Sequence, residues 1–106
     1  MLTAKDFEAL GCWEDITPDE NIKIYGMEFG KNCIEITDEL GKTPVKEEEI
    51  LVVSAFDENN VLLWGKELKS FADFKALCQK YPAESQELFA ALAEYRMNIE
   101  GGENLL

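Results

Sequence analysis

The sequence predicts an α+β domain with a short N-terminal helix, an antiparallel sheet of two β-hairpins (about four strands), and two C-terminal helices packed on the sheet. Two stretches rich in β-branched and aromatic residues are each interrupted by a short turn-like segment, which is typical of hairpins. Such loops are too short for the crossovers that parallel strands need. The last third of the chain carries apolar residues at helical spacing.

The length of the chain bounds its organisation. With 106 residues, of which 46% are hydrophobic, we expect one globular domain over residues 1–106, with 100–106, which contains Gly101 and Gly102, as a flexible tail. No apolar run approaches the roughly 20 residues that a membrane helix needs. The first residues also lack the basic-then-apolar pattern of a signal peptide.

The N-terminal part should contain one helix and one isolated turn. Thr3 can cap a helix over Thr3–Leu10, and Gly11 can end it. Thr17, Pro18 and Glu20 have the spacing of a cap, a first helical position and a third helical position, which predicts a single helical turn.

The first hairpin joins 22–29 to 33–37. Pairing Phe29 with Ile34 gives one apolar face and one polar face that includes Glu35, so we expect this hairpin nearer a sheet edge. The apolar face holds Tyr25, Met27, Phe29, Ile34 and Ile36.

The second hairpin, 50–64, is the most apolar stretch of the chain. With a loop over 57–60, Phe56 pairs with Val61 and Val53 with Trp64, and both faces are then apolar. This pattern predicts a central position with both faces covered, either by the chain's own helices or, on one face, by a partner.

Two helices should follow. Ser70 to Asp73 resembles a capping box and opens the first helix, and Pro82 ends it and starts the second, which should run to about Ile99. The residues predicted to be buried are Phe74, Leu77, Leu88, Leu92 and Val53.

The composition excludes several chemistries. The chain has no histidine and a single arginine, Arg96, and it lacks nucleotide-binding glycine motifs. Asp15, Thr17 and Asp19 have calcium-loop spacing, but the glycine and glutamate that would complete the loop are missing. Solvated carboxylates such as Glu35 should keep ordinary pKa values. We therefore expect no enzyme activity, no metal and no cofactor.

The three cysteines favour a reducing compartment. Cys12, Cys33 and Cys78 are odd in number and widely spaced, which predicts free thiols, no disulfide and a cytoplasmic protein. Cys78 should be partly buried.

The net charge of −12 directs the functional prediction. We expect a module that binds a basic protein through acidic loops and does not bind nucleic acid or membranes. Two alternatives remain open: a phage-type mimic of nucleic acid that inhibits a nucleic-acid enzyme, and a homodimeric structural protein that pairs through an apolar sheet face. The predicted partner-binding residues are Asp38, Glu39, Glu47, Glu48, Glu49, Asp57 and Glu58.

Overall fold

The computed structural model describes residues 1–96, so the predicted tail at 100–106 lies outside the described residues. Its elements follow in chain order: α1 (Ala4–Glu8), β1 (Trp13–Ile16), β2 (Lys23–Phe29), β3 (Asn32–Thr37), β4 (Leu51–Phe56), β5 (Leu62–Leu68), α2 (Phe71–Lys80) and α3 (Gln86–Ala93).

The five strands form one antiparallel sheet in the order β1-β2-β3-β4-β5, and the helices pack on one face of it. This confirms the predicted α+β class. The sequence prediction missed β1, which pairs with β2 through Trp13 and Gly26. The single helical turn predicted after it is present and forms the β1–β2 connection: the N–H of Asn21 donates to the carbonyl oxygen of Thr17 at 3.0 Å, and the Thr17 hydroxyl accepts the N–H of Ile22 at 3.0 Å. None of the helices within residues 1–96 has the length and apolar character required to span a bilayer.

The register predicted for the first hairpin is wrong by two residues. Phe29 pairs with Asn32 and Met27 with Ile34, which leaves Gly30 and Lys31 as the turn. Gly30 has a φ of +66°, which glycine adopts without steric cost and which permits this tighter turn. A shift of two residues preserves which side chains share a face, so the predicted apolar face is retained.

The second hairpin departs from its predicted register by a bulge. Phe56 pairs with Leu62 but Ala55 pairs with Trp64, so Leu62 lies on the face opposite to Trp64. The predicted placement of the two hairpins is also reversed: β3 is the central strand and β5 is an edge strand. Within residues 1–96 the helices cover only one face, so the described residues do not show the first predicted alternative, in which the chain's own helices cover both faces. The second alternative, in which a partner covers one face, stays a prediction.

The core lies between the sheet and the three helices. The Phe7 ring of α1 stacks on Tyr25 with centroids 4.1 Å apart, and Phe71 of α2 meets the edge of Phe7 at 5.1 Å. Four of the five residues predicted to be buried are buried, and Leu77 is half-buried against the core. Cys78 is half-buried, as predicted, and the three cysteines are free.

The first C-terminal helix begins where the sequence predicts, whereas the second begins later. Ser70 is the N-cap of α2, as predicted, but its side chain makes no cap hydrogen bond, and the Asp73 carboxylate accepts the hydroxyl of Tyr95 at 2.5 Å. The second helix begins at Gln86 and not at Pro82, because Ser85 caps it by accepting the N–H of Leu88 at 3.1 Å. It ends at Ala93, six residues before the predicted end.

Candidate functional site

One face of the sheet carries no helix within the described residues, and we call it the open face. The strand register places alternate residues on it, opposite to those that build the core. Its members are Trp13, Asp15, Ile24, Gly26, Glu28, Cys33, Glu35, Thr37, Val52, Ser54, Phe56, Leu62, Gly65 and Glu67.

The middle of the open face is a row that contains three small residues, with Glu35 at its centre and a tryptophan at one end. Trp13, Gly26, Glu35, Ser54 and Gly65 are successive partners across the five strands. The Trp13 ring lies directly on Gly26, where an added Cβ would come within 2.6 Å of ring carbon Cζ3 and 2.8 Å of the Ile34 carbonyl oxygen. Only glycine at this position lets the indole lie flat on the sheet. We call this row, which ends at the Trp13 indole, the trough.

Apolar side chains line the trough on both sides. Ile24 is only 3% exposed although it lies outside the core cluster, and Val52 and Phe56 are half-buried. At the β5 end, Leu62 is 58% exposed. The open face therefore combines partly buried apolar surface with carboxylates, a composition suited to contact with another macromolecule.

Glu35 is the carboxylate at the centre of the open face. Burial raises its pKa above the ordinary value, and the nearby negative charge of Asp15 raises it further. The prediction that this carboxyl has an ordinary pKa is therefore wrong. The reason is that β3 is the central strand, so the Glu35 side chain is flanked by strands on both sides and loses part of its hydration.

The neighbouring thiol is unsuited to nucleophilic chemistry. Burial raises the pKa of Cys33, and the carboxylates of Glu35, Glu28 and Asp15 raise it further. Since the thiolate is the nucleophilic form, this environment suppresses reactivity. Burial likewise raises the pKa values of Cys12 and Cys78 to about 12.

All charged groups on the open face have the same sign. Its carboxylates are Asp15, Glu28, Glu35 and Glu67. Within residues 1–96, no strand places a lysine or arginine there, because Lys23 and Lys66 share the other face. The open face therefore presents an uncompensated negative field.

The seven predicted partner-binding residues are divided between the two ends of the sheet. Asp38, Glu39 and 47–49 lie in the β3–β4 connection at one end, whereas Asp57 and Glu58 lie in the β4–β5 loop at the other. The six residues of β4 separate the two groups by about 20 Å. They therefore do not form a single site.

Several of these carboxylates have structural roles. Asp38 accepts the N–H groups of Leu40 and Lys42, both at 2.8 Å, and so closes its own turn. Asp57 does the same for Asn59 at 2.8 Å and Val61 at 3.0 Å.

The glutamates of the β3–β4 connection are exposed and partly paired. Glu47 lies 3.6 Å from the N-terminal ammonium group, and Glu49 lies 3.6 Å from Lys46. Glu47 and Glu48 also line a cleft of about 610 Å³ beside the start of α2, on the helix-covered side of the sheet. The cleft has Asp6 on the acidic side and Lys69 and Lys75 on the basic side, so it has no dominant charge.

The sequence prediction does not include the four carboxylates of the open face. It places Glu35 on a polar hairpin face, but Asp15 becomes part of the open face only through β1, which the prediction missed. Glu67 follows the bulge, which changes the face assignment in β5. A search for acidic residues at alternate positions of neighbouring strands would have found Glu28 and Glu35.

No group of three or more metal-ligating side chains occurs in the part of the chain described here. Comparison with known proteins adds no relative: no protein-family model, curated protein or solved structure matches this chain.

Proposed function

We propose that this protein is a non-enzymatic binding module that docks a basic protein on the open face of its sheet. The observation that carries the proposal is the combination, on the face that residues 1–96 leave uncovered, of four carboxylates, no cation from those residues, the Trp13 indole and partly buried apolar side chains beside the trough. A partner that places lysine or arginine over Glu35 and an apolar residue over the trough would match it. The acidic loops at the two ends of the sheet extend the negative field and attract such a partner.

The size of the open face indicates a transient complex. Five strands spaced about 4.8 Å apart and about six residues long give an area of roughly 400 Å². This is about half of the 800 Å² that each partner contributes to a standard interface. Contacts at the loops or at an edge strand would have to supply the rest.

Charge density argues against mimicry of nucleic acid. Asp15 and Glu67 lie at opposite edges of the open face, about 19 Å apart, and four carboxylates in that span give about one charge per 5 Å. Duplex DNA carries one charge per roughly 1.7 Å of axis. The charge density of the open face is therefore about a third of that of the DNA duplex that a nucleic-acid enzyme recognises.

Like charge also argues against a homodimer through this face. Two copies would bury roughly 800 Å² in total, which is less than the 1,200 Å² typical of specific interfaces, and they would bring eight carboxylates together. A basic partner removes both difficulties because it neutralises the carboxylates and can extend beyond the sheet.

The half-buried and carboxylate-flanked thiol of Cys33 supports a binding role rather than a catalytic one. The three free thiols suit the reducing cytoplasm, where we place the protein.

The proposal can be tested by affinity capture with two variants of equal net charge. The open-face variant carries Asp15→Asn, Glu28→Gln, Glu35→Gln and Glu67→Gln. The loop variant carries Glu39→Gln, Glu47→Gln, Glu48→Gln and Glu49→Gln, and it loses the same number of charges. Each variant and the wild-type protein are immobilised and exposed to the native lysate at low and high salt.

We expect the wild type and the loop variant to capture the same basic protein at low salt, and the open-face variant to lose it. High salt should release it because exposed charge pairs are screened. Capture that the loop variant loses and the open-face variant keeps would contradict the proposal, as would competition by added DNA.

A further inference from the structure

The edge strand β5 is a second feature that a partner can use. It is seven residues long, and at its start Val61, Leu62 and Leu63 are 56%, 58% and 44% exposed. These three consecutive residues are the largest concentration of exposed apolar side chains in residues 1–96. No backbone group within residues 1–96 makes a hydrogen bond to the outer edge of β5. A long edge strand that begins with exposed apolar residues is a template for a further strand.

The opposite edge strand is protected. β1 has only four residues, and the N–H of Ile16 is bonded at 2.8 Å to the carboxylate of Asp15. Trp13 folds inward over Gly26. A short edge whose backbone donor is already bonded is a poor template, so the two edges of the sheet are not equivalent.

We propose that β5 accepts an extended segment of the partner as a sixth, added strand, and that this segment alternates basic and apolar residues. A strand beside β5 continues both faces of the sheet. On the open face its side chains would lie beside Glu67, whose charge suits a basic residue, and beside Leu62, against which the aliphatic stem of a lysine can pack. On the other face they would lie beside Trp64, which packs against Phe89 of α3 with centroids 5.3 Å apart, so apolar residues suit those.

One position sets a limit on that pattern. Lys66 lies on the helix-covered face, so a basic residue placed beside it would be repelled. Lys66 therefore determines which face each type of residue occupies: the basic residues of the added strand must lie on the open face and not on the helix-covered face. The inference rests on the proposed function for the sign of the charge and adds the mode of binding.

A second copy of this chain is a poorer occupant than a basic strand. A β5 strand from another copy would bring its own Glu67 onto the acidic open face, and it has no basic residue on that face. We therefore expect the protein alone to sediment as a monomer, and a dimer that depends on Leu62 and Leu63 would overturn the proposal.

The test uses the full chain and a ten-residue peptide that alternates lysine and valine. Two control peptides isolate the two parts of the proposal. In one, alternate backbone nitrogens are methylated, which keeps the side chains but prevents a ladder of hydrogen bonds. In the other, glutamate replaces every lysine. Binding is measured by fluorescence anisotropy, and hydrogen exchange reports which amides become protected.

We expect the lysine–valine peptide to bind, and both controls to bind at least about tenfold more weakly. Amides of β5 should gain protection while those of β1 do not. The double variant Leu62→Lys, Leu63→Lys should weaken binding by about tenfold or more, because edge lysines repel the peptide and the apolar contact is lost. Leu40→Lys, which replaces an 81% exposed leucine of the β3–β4 connection, should leave the affinity unchanged and serves as the matched control.

Equal binding of the methylated peptide would overturn the added-strand proposal and leave docking on the open face intact. Absence of binding by the lysine–valine peptide would also overturn it, while the capture assay would still decide the proposed function independently. Circular dichroism of each variant establishes that a loss of binding does not come from unfolding.

Discussion

The contact between Trp13 and Gly26 gives a prediction that can be worked out atom by atom. In Gly26→Ala the new Cβ would lie within 2.6 Å of the Trp13 ring carbon Cζ3 and 2.8 Å from the carbonyl oxygen of Ile34. The indole can move away, since its ring end is the far end of a side chain. The carbonyl cannot, because it belongs to the ladder between β2 and β3. The substitution therefore displaces the tryptophan and also strains the sheet.

Overpacking of this kind costs about 1–3 kcal/mol of unfolding free energy. With a urea m-value of about 1.5 kcal/mol/M, the midpoint of unfolding should fall by about 0.7–2 M. The measurement is urea unfolding followed by circular dichroism, with tryptophan fluorescence to report movement of the indole.

Gly65→Ala is the matched control for this experiment. Gly65 lies in the same row of the open face, but a Cβ there would have no atom within 4 Å. Alanine restricts the unfolded chain more than glycine does, so this variant should be neutral or more stable by up to about 1 kcal/mol. If the two variants have the same stability to within about 0.5 kcal/mol, the placement of Trp13 on the sheet is wrong.

Three further predictions concern the core, the central carboxylate and a loop. Leu92→Ala should lower the unfolding free energy by about 2–5 kcal/mol in urea titrations, since Leu92 is fully buried, and a loss below about 0.5 kcal/mol would refute its burial. The pKa of Glu35 is raised in the folded state, so the folded protein binds the carboxyl proton more tightly than the unfolded chain does. The stability that comes from this protonation is fully present below the ordinary pKa near 4.5 and is lost as pH rises through the native pKa. Glu35→Gln should therefore be more stable than wild type in thermal melts at pH 7, with a difference that shrinks towards pH 3; a constant difference would contradict the linkage. Asp57→Ala should cost about 1 kcal/mol because two backbone N–H groups lose their acceptor, whereas Glu58→Ala should stay within about 0.5 kcal/mol, and equal effects in urea unfolding would exclude the structural role of Asp57.

The sequence predicted those parts of the fold that depend on apolar periodicity. Spacing alone predicts the buried residues of the two C-terminal helices, Phe74 in α2 and Leu88 and Leu92 in α3, and these are confirmed. Spacing also predicts the apolar face of the first hairpin, which is confirmed as well. The prediction failed where a single residue changes the geometry. The bulge beside Ala55 moves Leu62 to the other face, and no local pattern in the sequence marks it.

The candidate site was harder to predict because it depends on topology. Clusters of acidic residues favour the loops as the binding site, yet Asp38 and Asp57 use their carboxylates to close turns. The carboxylates of the open face are isolated in sequence and come together only when β1 joins β2 and β3 takes the centre of the sheet. The prediction missed β1 because its four residues contain two acidic ones and precede a proline.

The central claim is that the open face, and not the acidic loops, contacts the basic partner. Methyl-labelled protein tests it most directly, because isoleucine, leucine and valine report from both surfaces. When the captured partner is titrated in, the methyl resonances of Ile24, Val52 and Leu62 should shift, while those of Leu40 and Val45 in the β3–β4 connection should not. Shifts confined to Leu40 and Val45, with Ile24 and Val52 unchanged, would contradict the claim.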